Sequence, residues 1–583
     1  MTRLINDAQR FAGESLTGFA SAHADRVRLV PDDGVTRAGG PGEGSSVAIV
    51  MGGGAGHYPA FLGWVGSGLA HGAVTGNIFS SPSASQVVRV ADAAAEGRAV
   101  LFLPINYAGD ILHFSEARDR LLAEGREARL VAIADDIASA APDAAAQRRG
   151  IAGSFLVAKI VGAAVETGAD IDEAERIARR AVSTTRSLGL AFSGCTLPGA
   201  AGPNFEVPDG QMALGLGIHG EPGLRMLKLE SADQAADVLV DGLFEERAPV
   251  AGQRVAVLVN GLGATKYDEL NVLFARIRTR IESVGMILVA PVVGELVTSL
   301  DMAGVSLSIG YLDDELEQLW TAPAHAVAFT RAQSAPTSAA STAARELRAS
   351  VAGPAAVAPA TPGSHALAAR LVEALAEAAV ELAERSEELA RLDAVAGDGD
   401  HGACMQRGSG AAAEAAASAA DHGAGAGSVL RAAGEAWSDV GGGTSGALWG
   451  AGLHAVGSVL GDDRDLDARL IRDAVDRFAT TVAERGGAET GDKTMLDAII
   501  PFATTFTRAV DAGTAPARAW HSAAQAARTG AERTADIVAR RGRSRTHGDA
   551  SLGTPDPGAV SFAMLVTRLD PGADAVNTHG ALR

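Results

Sequence analysis

Three aspartates fall within eight residues of "RLDAVAGDGDHGACM": Asp393, Asp398 and Asp400. Carboxylates brought so close repel one another unless a hard cation neutralises them, and oxygen-only ligation suits Mg²⁺ or Ca²⁺ rather than zinc. Gly397, Gly399 and Gly402 give this stretch the freedom to fold its carboxylates together. An acidic turn capping a helix is the competing, purely structural reading. Three further loops share the character. "SDVGGGTSGALWGAG" sets Gly441, Gly442 and Gly443 before Thr444, Ser445 and an apolar helix. Such a loop at a helix N-terminus can cradle phosphate through free N–H groups. No Lys-Ser or Lys-Thr pair follows, so it is not a Walker A loop. "GGAETGDKTMLDAIIP" and "RGRSRTHGDASLGTPDPGA" complete the set, the last joining Arg543 to a turn at Asp556, Pro557 and Gly558. Four such loops point to one open end of a helical bundle carrying a metal–nucleotide site.

A second group of reactive residues lies upstream. "LGLGIHGEPG" fences one histidine, His219, among four glycines and a proline. "MGGGAGHYPAF" places His57 in a glycine loop, and "PINYAGDILHF" carries Asp110 into a helix. A Gly-Pro turn accounts for part of the first motif, and each residue alone has an ordinary structural reading. Together, imidazoles and a carboxylate in glycine-lined turns suit nucleophilic and acid–base chemistry on a small ligand.

The elements that must position these residues differ between the two parts of the chain. Over 1–330, β-branched runs near 45–53, 98–106, 128–136, 254–263 and 286–294 alternate with helix-like segments such as 116–124 and 151–167. That alternation predicts an α/β fold, with ligands bound beyond the carboxyl ends of the strands. The expected boundaries are two α/β subdomains, about 1–185 and 186–330, then an Ala/Pro/Ser/Thr-rich linker over 331–362, with a short helix near 343–350. From 363 to 583, Leu, Val and Ala recur at helical spacing, predicting an all-α barrel or bundle. At 583 residues the chain is too long for one core.

The net charge of −20 argues against nucleic acid or an anionic membrane as the main partner. No apolar run is long enough to span a bilayer, and the first residues lack a secretory apolar region. Two distant cysteines, Cys195 and Cys404, exclude a disulfide scaffold and suit a reducing cytoplasm.

Taken in order, "GGGAGH…P", "NYAGD", "GLGIHGEPG", "VNGLGAT", "TSLDMAGVSLS", "GDGDHG", "GGGTSG", "GDKTMLDA" and "SLGTPDPGA" resemble the dihydroxyacetone kinase family, in its single-chain ATP-dependent form. The resemblance covers nearly the whole chain. It implies a ketose-binding α/β domain fused to a helical Mg-ATP domain. His219 would attack the ketone carbon and hold the substrate as a hemiaminal. Asp110 would take the proton from the terminal hydroxyl that receives the phosphoryl group, with His57 assisting, and Gly54 and Ala55 would add backbone contacts. Mg²⁺ would rest on Asp393, Asp398 and Asp400. ATP would lie against His401, Gly402, Cys404, Thr444, Ser445, Gly487, Thr494, Met495, Arg543, Asp556, Pro557 and Gly558. A homodimer, with helical domains exchanged between copies, is also implied.

Members acting on dihydroxyacetone commonly read "GSGHEPAH" and "KNYTGD", where this chain reads "GAGHYPAF" and "INYAGD". Tyr58, Phe61 and Ile105 therefore replace polar residues, which points to a related ketose such as erythrulose. Three alternatives remain open at this level. A phosphotransferase-system relative would be rephosphorylated by a protein partner. A ketose sensor would bind without catalysis. A lyase activity on FAD would use the metal loop without His219.

Overall fold

The structure, a computed structural model, describes residues 4–40, 42, 44–221, 223–332, 359–540 and 551–571. It separates into two compact units, Met1–Ser338 and Ala339–Arg583. Most of the expected linker, the helix near 343–350 and Arg543 lie outside the described residues.

The first unit is built on two sheets. In chain order its strands are β1 (Val27–Val30), β2 (Gly34–Arg37), β3 (Val47–Ala55), β4 (Gly66–Ser67), β5 (Gly72–Ile78), β6 (Ala99–Phe102) and β7 (Ala128–Leu130), then β8 (Thr185–Ala191), β9 (Gln211–Leu214), β10 (Arg225–Lys228) and β11 (Arg254–Gly261), and finally β12 (Ile287–Leu288), β13 (Val292–Gly294), β14 (Gly304–Leu312), β15 (Ala324–Ala326) and β16 (Thr330–Arg331). One sheet runs β1-β2-β5-β3-β6-β7, the other β10-β9-β8-β14-β11-β12, and β16-β15-β4 form a small third.

In the first sheet β5, β3, β6 and β7 pair in parallel, as strand–helix alternation predicts. The second departs from that pattern. Its central pairs β11–β14 and β14–β8 are antiparallel, so this half is not a doubly wound parallel sheet. The run near 286–294 divides into β12 and β13 around Ala290, which sits at φ 44.

The helix Gly153–Glu166, "GSFLVAKIVGAAVE", is apolar nearly all round, and every residue except Glu166 is buried. It touches β3 of one sheet and β8, β11 and β14 of the other, which explains why it has no polar face. Lys159 sits inside it with Nζ donating to the Leu319 carbonyl at 2.9 Å, and burial pushes its pKa down to about 7.

The second unit is helical throughout its described length, from Pro362–Glu384 to Pro557–Arg568. Its alanines and glycines let helices approach closely. A Cβ on Gly434 would stand 2.6 Å from the Gly450 carbonyl, and one on Gly427 equally close to that of Gly457. These glycines therefore serve the contact between helices Ala426–Gly441 and Gly443–Leu460. The expected three-glycine loop is correspondingly short: only Gly442 separates those two helices.

Candidate functional site

Two constellations emerge, one in each unit. In the first, β3 runs buried into "GGGAGH", delivering Gly54, Ala55 and His57 at its carboxyl end. Gly54 is obligatory for steric reasons, since a Cβ there would meet the Ser80 nitrogen at 2.6 Å and Phe79 at 2.8 Å. The chain after β6 turns into helix Ala108–Ala123, with Asp110 buried in its first turn. His219 follows β9 in the loop that leads back to β10.

The structure brings the two histidines together. His57 Nε2 lies 2.9 Å from His219 Nε2, while His57 Nδ1 lies 2.7 Å from the Thr298 carbonyl. A carbonyl only accepts, so the proton of neutral His57 sits on Nδ1 and its Nε2 carries a lone pair. His219 Nδ1 lies 3.1 Å from Glu221 Oε1, and the His219 backbone N–H donates to Glu221 Oε2 at 3.0 Å. Phe79 stacks on His57 at 4.9 Å and meets His219 edgewise at 5.0 Å, while Tyr107 meets His219 edgewise at 4.7 Å.

The loop ahead of β14 ties these pieces to one another. Thr298 N–H donates to the His57 carbonyl at 3.2 Å, Leu300 N–H to that of Gly56 at 2.8 Å, and Ser299 Oγ to that of Ile218. Buried Asn260, from "VNGLGAT", fixes this loop by accepting from Leu296 and Val297 N–H and donating to the Val297 carbonyl.

The electrostatics are uneven. Burial, helped by the charge of His219, pushes His57 down to about 3, so it is neutral at ordinary pH. Burial raises Asp110 from 3.8 to about 6, against the opposing pull of Ser81 and His219. Its Oδ1 is buried and has no hydrogen-bond partner, and the same holds for the Tyr107 hydroxyl. Burial would also raise Glu221, but hydrogen bonds and charge from His219 outweigh it and hold the carboxyl at about 2.

Of the three departures from the dihydroxyacetone pattern, Phe61 is the one that shares a neighbour, Gly53, with Asp110. A Cβ on Gly53 would be 2.8 Å from the Phe61 ring and 3.8 Å from Asp110 Oδ2. Ile105 is buried in the core, and half-exposed Tyr58 turns its ring onto Phe19.

In the helical unit, one cavity is lined by Asp393, Asp398, Asp400, His401, Cys404, Thr444, Ser445, Thr494, Met495, Asp556, Pro557 and Gly558. Asp393, Asp398 and Asp400 each place an oxygen within 4.8 Å of the others. An all-carboxylate set of this size, part of it exposed, fits a hard divalent cation such as Mg²⁺. Gly397 makes room for it, since a Cβ there would stand 2.3 Å from Asp393 Oδ1. His401 joins the loops, with Nε2 3.0 Å from Ser561 Oγ, Nδ1 3.4 Å from Ser445 Oγ, and its N–H donating to Asp393. Burial holds Asp556 up at about 7 despite the Ala559 N–H it accepts.

Two expected nucleotide contacts do not line this cavity. Gly402 packs against helix Ser386–Asp393, where a Cβ would stand 1.9 Å from the Ser386 carbonyl. Gly487 is the left-handed cap of helix Ala468–Gly486, between cavity-lining Gly486 and Ala488.

Several residues were not singled out from sequence. Lys493 donates from Nζ to the carbonyls of Ile537, Ser551 and Thr554 at 3.1, 2.5 and 2.7 Å, holding the 551–554 turn beside the cavity. Asp497 accepts from Gly491 and Thr494 N–H. Glu221 and Lys493 stood inside motifs already quoted, but position alone does not reveal what a side chain reaches.

Comparison with known proteins places these two sites in context. A Dak1 domain matches residues 17–328 and a DAK2 domain residues 395–570. L-erythrulose 1-kinase of Mycolicibacterium smegmatis is 49% identical over 575 residues, covering 98% of this chain and 99% of its own. D-erythrulose kinase of the same organism is 48% identical over 568 residues, covering 97% of each. The crystal structure of the C. freundii dihydroxyacetone kinase in complex with AMP-PNP and Mg²⁺ matches with TM-score 0.59 and 28% identity, over 98% of this chain and 99% of that one.

Proposed function

The chain belongs to the dihydroxyacetone kinase family that joins a Dak1 to a DAK2 domain, and from that premise we propose an ATP-dependent kinase acting on a terminal hydroxyl of a short ketose, erythrulose before dihydroxyacetone. The observation that carries the reading is the placement of His219, His57 and Asp110 around orphaned polar atoms. A buried carboxylate oxygen without a partner costs about 1–3 kcal/mol, a cost that a substrate hydroxyl would offset.

On this reading His219 Nε2 bonds to the ketone carbon, giving a hemiaminal that distinguishes ketoses from polyols. Asp110, held near 6, is a base at neutral pH and takes the proton of the terminal hydroxyl as it attacks the γ-phosphate. Neutral His57 offers its Nε2 lone pair to the same proton traffic. Gly54 and Ala55 present backbone groups to the substrate. In the helical unit Asp393, Asp398 and Asp400 would hold Mg²⁺, which when bound neutralises phosphate charge during transfer. His401, Cys404, Thr444, Ser445, Thr494, Met495, Asp556, Pro557 and Gly558 would line the ATP site.

The preference for erythrulose rests on apolar Phe61, which shares Gly53 as a neighbour with Asp110, and on relatives named for that ketose. Relatives named for the L and D forms are about equally similar, so identity does not choose an enantiomer. The reading includes a cytoplasmic homodimer with exchanged helical units, the domain limits 1–330 and 363–583, and free ATP rather than a phosphotransferase partner. Among the described residues no helix is long and apolar enough to cross a membrane, and both cysteines are free and buried.

The test is a coupled assay with purified protein and Mg-ATP alone, comparing kcat/KM for dihydroxyacetone, L-erythrulose and D-erythrulose. Turnover without added protein, fastest on one erythrulose, supports the proposal. No turnover until a phosphocarrier protein is added would replace free ATP with the phosphotransferase reading.

A further inference from the structure

The glycines around His219 make room for a second residue. A Cβ on Gly217 would stand 2.1 Å from Glu221 Oε2 and 2.5 Å from Arg149 Nη1. Only glycine lets the carboxylate fold back under its own loop, where the Gly217 N–H also donates to the Glu221 carbonyl at 3.1 Å. There Glu221 faces His219 Nδ1 with one oxygen and the His219 N–H with the other. Arg149 approaches Oε2 at 3.7 Å and is itself held by Asp136 at 2.8 Å and by the Gly215 carbonyl at 3.3 Å. The carboxylate is thus fixed from its own loop and from a neighbouring ion pair.

The hydrogen-bond pattern then assigns protons. His57 Nε2 carries a lone pair, so the 2.9 Å contact requires the proton to come from His219 Nε2. His219 Nδ1 faces a carboxylate, so it too is a donor. In this arrangement both ring nitrogens of His219 donate, Nε2 to His57 and Nδ1 to the Glu221 carboxylate.

We propose that Glu221 is the positioning residue that keeps the His219 Nε2 edge toward the ketose and neutralises the cationic adduct. The inference rests on the covalent reading above. The Nε2 proton passes first to His57 Nε2, which leaves the Nε2 lone pair free. That pair forms the N–C bond as the π pair of the ketone moves to oxygen, and His57 delivers the proton to that oxygen, which becomes a hydroxyl. The one positive charge moves from the His219 ring to His57 and returns to the alkylated ring, whose Nδ1–H is still donated to Glu221. No oxidant or further reactant is needed.

The experiment is ¹³C NMR of ketose labelled at the carbonyl carbon, added without nucleotide to the full-length wild type, Glu221→Gln, Glu221→Asp and Gly217→Ala. Charge-assisted hydrogen bonds are roughly twice as strong as neutral ones, so the Gln variant should lose adduct by about tenfold or more. KM for ATP should hold, and the Asp variant should recover part of the signal. Gly217→Ala should imitate the Gln variant by displacing the carboxylate, and it replaces that variant if Gln prevents folding. A folded Gln or Gly217→Ala variant forming adduct at the wild-type level overturns the proposal for Glu221 alone. No adduct in the wild type overturns the covalent reading, and this inference with it.

Discussion

Asp110→Asn should stabilise the protein while abolishing turnover, and only above the acid range. Asp110 is 4% exposed, and its pKa rises from 3.8 to about 6 chiefly through burial. At about 1.4 kcal/mol per pH unit, that rise corresponds to about 3 kcal/mol of instability once the group is ionised. The sign follows from proton uptake. Between pH 3.8 and about 6 the folded chain binds this proton more tightly than the unfolded chain, so the wild type loses stability as pH rises through that window. Asparagine does not titrate, but it leaves an amide with orphaned groups, a cost of about 1 kcal/mol. The variant should therefore be slightly less stable than the wild type below pH 4. It should overtake through the window and hold a plateau of about 2 kcal/mol above it, a few degrees in Tm. Melting both proteins from pH 4 to 8 by scanning fluorimetry and subtracting the curves isolates this one group. A Tm difference independent of pH, or one that shrinks as pH rises, refutes the reasoning that Asp110 is a buried carboxylate ionised for catalysis.

In steady-state kinetics, kcat/KM for the ketose should climb with pH through about 6 and then level, because Asp110 must be ionised to act as base; a flat profile from pH 5 to 8 contradicts that role. Asp400→Asn should raise the Mg²⁺ concentration for half-maximal activity by roughly tenfold or more while leaving ketose binding unchanged, measured by metal titration. Gly402→Ala should lower the Tm of the helical unit and weaken ATP binding, since its Cβ would meet the Ser386 carbonyl at 1.9 Å. An unchanged Tm there would mean the two helices separate freely. Phe61→His should move the kcat/KM ratio toward dihydroxyacetone by restoring a polar group at the position that shares Gly53 with Asp110, as a two-substrate comparison would read directly.

What sequence made legible follows the range of the physics involved. β3 and helix Gly153–Glu166 are stated by local composition, a β-branched run ending in glycines and an apolar stretch without a polar face. The strand directions of the second sheet are not legible in the sequence, because direction depends on which partners meet, and β8, β11 and β14 meet across long separations. The acidic loop was legible because Asp393, Asp398 and Asp400 are neighbours in sequence. Glycines misled where their role was packing. Gly402 reads as a nucleotide-loop glycine in the string, yet it admits the Ser386 backbone, as Gly434 and Gly450 admit each other's helices. The reach of Glu221 back to His219, and of Lys493 to three carbonyls, is a matter of side-chain direction that no spacing rule encodes.

The central claim is that His219 bonds covalently to the substrate. Intact-protein mass spectrometry under native conditions, with erythrulose and no nucleotide, tests it most directly. The account predicts that the wild type gains the mass of one ketose and that His219→Ala gains none while still binding Mg-ATP. A His219→Ala protein that carries the same added mass, or phosphorylates ketose at the wild-type rate, would contradict it.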